Sequence, residues 1–206
     1  MYNNETEKTE ELKCLELKLQ SFNDELTNLR EKIYSTNGLL YKQELQLVEE
    51  FKRLNDFSDT IDNANEKTHL WLINEIPIEE WNNSIKELKD TSCKSTKLIV
   101  EYCKETDRFK ILSQNILNDY ITIQNRTEEF RSINIERLCQ NAEIDNRFDC
   151  FDETLYEIRE KYNVFMSTGI EYLKEHKVFM LEWISVTDKI KIFSDKLREI
   201  DESMGK

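Results

Sequence analysis

Two histidines, five cysteines and a few adjacent carboxylates are the residues of this chain with the means to do chemistry. Cys14, Cys93, Cys103, Cys139 and Cys150 could hold zinc or exchange disulfides, but no two form a CxxC step and no histidine cluster stands near them. An odd, unpatterned set reads as reduced thiols in a cytosolic protein. The sequons Asn82-Asn83-Ser84 and Asn125-Arg126-Thr127 have no secretory signal to make them glycan acceptors. His176 has no carboxylate or cysteine three or four residues away, so it reads as a packed histidine and not a metal ligand. Glu49-Glu50 and Glu79-Glu80 are the pairs an acid–base mechanism would use, yet they lack converging loops and read as surface charge. No phosphate-cradling glycine loop, nucleophile elbow or zinc spacing is present. The expectation is a protein without catalytic residues, metal or cofactor.

Charge narrows the partners. The net charge of −13 argues against nucleic acid, because phosphate recognition needs a dense basic footprint. The balance is uneven. Residues 1–66 carry 8 Lys/Arg against 15 Asp/Glu, whereas residues 86–110 carry 7 against 5. Lys94, Lys97, Lys104, Arg108 and Lys110 fall in that second stretch, and spacings of seven and four keep Lys97, Lys104 and Arg108 near one side of a helix.

The elements that must carry these residues are long helices. Three glycines and one proline are too few for a protein of sheets and tight turns, while charged residues reach 34 %. Leu12, Leu19, Leu26, Ile33, Leu40, Leu47, Leu54 and Ile61 fall seven apart without a miss, predicting a first helix over about 12–62. Leu15, Phe22 and Leu29 complete its seam. After Gly38 the seam partners shift to Phe51 and Phe57, which reads as a stutter. Gly38 itself implies a bend or the close approach of another backbone.

The apolar run His69-Leu70-Trp71-Leu72-Ile73, followed by Pro77, reads as a reversal over 62–78 that caps the bundle end. A second helix over 78–139 then carries Leu88, Ile99, Tyr102, Phe109, Ile116 and Tyr120 among its seam positions, with Ser and Thr between them. A polar turn over 140–146 leads to a third helix over 147–201, whose seam runs from Phe148 through Phe165, Gly169, Tyr172, His176 and Phe179 to Ile200. Residues 1–11 are expected to be disordered and 203–206 to be a tail, leaving a single domain over 12–202. Short reversals make neighbours antiparallel, so the fold class is all-α, an elongated three-helix coiled coil.

The helices hold more apolar residues than one seam each requires. Met166, Ile170, Leu173, Met180, Leu181 and Ile184 form a second stripe on the third helix, and the first is similarly wide at Leu39, Tyr41, Leu45 and Val48 outside its heptad line, with Leu40 of that line expected at the same junction. A strip of this size predicts a dimer joined there.

Parts of the chain resemble the BAR domains of sorting nexins associated with retromer. The likeness lies in Leu17-Lys18-Leu19-Gln20 running to Leu29-Arg30, and in Phe109-Lys110-Ile111-Leu112-Ser113 to Asp119-Tyr120-Ile121. It continues in Ile170-Glu171-Tyr172-Leu173-Lys174-Glu175-His176-Lys177 with Trp183 and Phe193. It covers about residues 12–200. The resemblance implies a dimer, with itself or a related BAR chain, that senses or shapes anionic membranes in endosome-to-Golgi sorting. It also implies a cytoplasmic protein peripheral to endosomes, with retromer subunits among its partners. Lipid contact would then fall to the basic stretch on the second helix and to Arg126, Arg131, Arg137 and Arg147 around the second reversal, where Glu128, Glu129, Glu136, Glu143 and Asp145 stand among them. The competing expectation is a coiled-coil subunit of a kinetochore, spindle pole or vesicle tether with protein partners alone.

Overall fold

The computed structural model describes residues 2–204, with side-chain surroundings from residue 10 onward. It is all-α: helix α1 runs Tyr2–Leu72, α2 Ile78–Cys139 and α3 Ala142–Met204. The start of α1 at Tyr2 departs from the disordered stretch expected over 1–11. Glu5, Glu7, Glu10 and Glu11 are good helix formers. Residues 205 and 206 of the expected tail lie outside the described residues.

The first reversal is shorter than 62–78. Ala64 and Thr68 continue the buried seam of α1, and Trp71 stacks on Trp81 with centroids 4.2 Å apart, so the apolar run belongs to the helix. Asn74 then takes φ 60° and closes α1. The Glu75 N–H donates to the Leu70 carbonyl at 2.9 Å and the Asn74 N–H to the Trp71 carbonyl at 3.0 Å, satisfying two end carbonyls. The Pro77 carbonyl accepts from the Trp81 N–H at 3.4 Å, with Glu79 and Glu80 in the first turn of α2. The second reversal is shorter than 140–146 because Asn141 caps α3 at once. Its Oδ1 accepts from the Ile144 N–H at 3.3 Å and its carbonyl from the Asp145 N–H at 3.0 Å.

Contacts group the chain into two compact units, each holding a length of all three helices. Unit 1 comprises residues up to Leu40 with Arg108–Gly169, and unit 2 comprises Tyr41–Asp107 with residues from Ile170 onward. In unit 1, Phe22 meets Phe130 at 5.8 Å and Phe151 at 5.9 Å, and Tyr120 stacks on Tyr162 at 6.2 Å. In unit 2, Phe179 meets Phe51 at 5.2 Å and Tyr102 at 5.6 Å, while Phe57 lies 5.9 Å from Trp183.

The expected stutter after Gly38 is absent from α1. Thr36, Gln43 and Glu50 are buried and join Leu29 to Phe57 in unbroken sevens. Polar residues hold seam positions there, so Phe51 is a flanking residue and not a replacement for them. Nor does another backbone approach Gly38: a methyl group built on it would meet nothing within 4 Å. A methyl on Gly169 would lie 3.0 Å from Cζ of Phe109, a buried ring held against Phe165 at 5.9 Å. Gly38→Ala should therefore raise stability by about 1 kcal/mol in urea unfolding. Gly169→Ala should lower it by about 1 kcal/mol, because the crowding outweighs the gain in helix propensity.

Candidate functional site

The four arginines expected to meet lipid are already engaged within unit 1. Arg126 pairs with Glu25 at 2.7 Å, Arg137 with Glu11 at 3.2 Å and Arg147 with Glu16 at 3.7 Å. Arg131 pairs with Asp149 at 3.1 Å and also with Asp152, and lies 5.7 Å from the centre of the Phe148 ring. Burial raises the Asp152 carboxyl above its usual range, against the pull of Arg131. These guanidinium groups present little uncompensated charge.

The basic stretch on α2 differs. Lys94, Lys97 and Lys104, all in unit 2, are exposed and make no ion pair among the described residues. Arg108 and Lys110 are exposed in the α2 segment of unit 1. Lys97 and Lys104 also edge a groove of 660 Å³ between α2 and α3 of unit 2. Ile85, Leu88, Val100, Ile190, Phe193 and Leu197 form its apolar lining. Small side chains at Ser92, Cys93, Thr96 and Ser194 leave the trough unfilled, and Lys89 and Glu101 complete its edge.

The expected dimer residues separate into three sets. Leu40 is a core residue, 1 % exposed, so it is corrected from interface to core: the heptad line turns it inward with Ile33 and Leu47. Met166, Leu173 and Met180 are half-buried, and the Sδ of Met180 lies 3.7 Å from the Sγ of Cys103 on α2. Leu45, Val48, Ile170, Leu181 and Ile184 are exposed, as is Tyr41 at 63 %. Within unit 2, Phe51 opposes Phe179 and Lys189 reaches Ser58 and Asp62, at 3.0 and 3.2 Å. That register brings Leu45 and Val48 level with the start of the α3 segment. Steps of 100° per residue then carry an apolar belt around α3, from Val48 past Val178, Leu181 and Ile184 to Val100 of α2.

In the core at one end of unit 2, close to Tyr41, Asp107 and Ile170, lies a polar layer the heptads did not announce. The Tyr172 hydroxyl is 2.7 Å from Thr106 Oγ1 and 3.1 Å from the Tyr102 hydroxyl, and donates to Gln43 Oε1 at 3.2 Å. His176 Nδ1 lies 3.0 Å from the Tyr102 hydroxyl. Burial, foremost, raises the pKa of both tyrosines, keeping them protonated. Gln43, Thr106 and Tyr172 come from three different helices and meet at one axial register only, which is how a polar layer specifies alignment. The signal was present in Gln43 and Glu50 at seam spacing. Glu50, expected on the surface, is 1 % exposed and accepts from Arg53 at 2.7 Å.

Among the described residues, no group of three or more His, Cys, Asp or Glu is arranged to hold a metal ion, and no helix is long and apolar enough to cross a membrane. No family model, curated protein or solved structure matches the chain. Its own surfaces are the guide to what it does.

Proposed function

We propose that this chain is a non-catalytic helical module that pairs, through the apolar belt of unit 2, with a second copy or a related chain. In this reading the pair works on membrane shape in endosomal sorting, in the manner of a BAR dimer, on the cytoplasmic side and alongside retromer subunits. The belt carries the proposal: Leu45, Val48, Leu181 and Ile184 are each more than half exposed. Fully burying side chains of this kind is worth about 1.5–3 kcal/mol each, which favours a partner on that face. Lys94, Lys97 and Lys104 support the membrane part, as exposed cations without a carboxylate partner among the described residues.

Small-angle scattering and light scattering test the pairing. The expected mass is twice that of one chain, and Leu181→Glu with Ile184→Glu should halve it while helicity is retained. A monomeric parent protein would end the proposal. Co-sedimentation with vesicles containing phosphatidylserine tests the membrane part. Binding should weaken with salt and vanish on Lys94→Glu, Lys97→Glu and Lys104→Glu together. The carboxylate partners of Arg126, Arg131, Arg137 and Arg147 favour a second reading, a tether subunit with protein partners alone. Dimers that ignore vesicles at every salt concentration would select it.

A further inference from the structure

We propose that the groove between α2 and α3 of unit 2 is a docking site for an acidic amphipathic helix of a partner protein. This surface adjoins the belt at Val100, and the proposal stands whether or not the chain pairs with itself.

The groove's shape argues for a helix. On α2 its lining runs from Ile85 to Lys104, about 28 Å of helix at 1.5 Å per residue, and on α3 from Ile190 to Leu197, about 10 Å. The trough lies open to solvent. An acyl chain laid in it would leave one side of itself in water. An amphipathic helix would set apolar residues against Ile85, Val100, Ile190 and Leu197 and turn its own polar face outward. Small residues at Ser92, Thr96 and Ser194 let a third backbone come close, as helix packing into a groove requires.

The groove's charge argues for an acidic helix. Lys89, Lys97 and Lys104 stand on its edge against the single carboxylate of Glu101, and none of the three lysines is ion-paired among the described residues. In a chain of net charge −13 this is a local reversal of sign. Lys97 and Lys104 are seven residues apart, about 10 Å along α2. Acidic residues spaced seven apart on the incoming helix would reach both, while a basic helix would be repelled at each. A membrane surface would compete for Lys97 and Lys104, but a flat surface cannot fill the trough beneath them.

The test uses the full chain and synthetic helical peptides of about 20 residues. One carries leucine at steps of three and four with glutamate on both flanks. A second replaces the glutamates with lysine. Fluorescence anisotropy should show saturable binding of the first, at least about tenfold tighter than the second. Lys89→Glu, Lys97→Glu and Lys104→Glu together should reverse that preference. Thr96→Trp, which fills the trough, should abolish binding of both peptides without changing the melting temperature.

Absence of saturable binding would overturn the proposal, as would equal affinity for the two peptides or unchanged binding to the Thr96→Trp protein. Phosphatidylserine vesicles that bind the parent protein but not Thr96→Trp would show a lipid site and overturn it too. Conversion of a dimer to a monomer by the triple lysine reversal would assign the groove to a second copy and overturn it equally.

Discussion

Above about pH 10 the protein should lose stability steeply, by up to about 2.7 kcal/mol per pH unit from unit 2 alone. Tyr102 and Tyr172 are the cause. Both are buried, at 0 % and 1 % exposure, and burial raises the pKa of each above the ordinary 10.0. An unfolded chain gives up these protons from about pH 10, whereas the folded chain keeps them. Their contribution is therefore complete below pH 10 and drains away as pH climbs toward the folded-state values. Each tyrosine supplies about 1.4 kcal/mol per unit. Urea unfolding between pH 8 and pH 11 (roughly the span around the ordinary tyrosine pKa) would show the fall. Tyr102→Phe with Tyr172→Phe should flatten it, at a cost near neutral pH of about 1–3 kcal/mol for the hydroxyls that Thr106, Gln43 and His176 lose. An equally steep fall in the double variant would place the effect elsewhere.

Phe179→Ala should cost about 3–5 kcal/mol, the largest loss we expect from one substitution. Phe179 is fully buried and holds edge contacts with both Phe51 and Tyr102, so its ring joins all three helices of unit 2. Removing it opens a cavity beside the rings of Phe51 and Tyr102, and rings fixed by their own helices cannot collapse into the space. Phe179→Leu keeps most of the volume and should cost about 1.5 kcal/mol. Denaturant midpoints of the three proteins at neutral pH would check both figures. A Phe179→Ala protein as stable as Phe179→Leu would mean the site relaxes.

Much of the architecture was legible in the chain. Sevenfold spacing located the buried face of α1 from Leu19 to Ile61, and the seams read for α2 and α3 are the faces buried, including the small Gly169 beneath Phe109. What escaped was polar. Periodicity counts apolar residues, so Gln43 and Glu50 read as a shift in the seam, when hydrogen-bond partners on α2 and α3 and Arg53 on α1 itself allow them to stay on it. The end of α1 was missed for the opposite reason. Leu70, Trp71 and Leu72 are apolar on every side, which hides a period, although Ala64 and Thr68 still mark the seam. The surfaces were partly legible. An excess of apolar residues on two helices pointed to the belt, and the sevenfold line that turns Leu40 inward leaves Leu45 outside it. Charge counting found the arginines near the second reversal. Their neutralisation by Glu11, Glu16 and Glu25 depends on residues more than a hundred positions away.

The stacked pair of Trp71 and Trp81, together with Trp183, accounts for every tryptophan in the chain, and all three belong to unit 2. Indole emission is thus a private channel to one half of the molecule, while far-ultraviolet dichroism sums over both. Overlaying the two signals during a single titration would reveal whether the halves melt as one cooperative body or in sequence. No added label is needed.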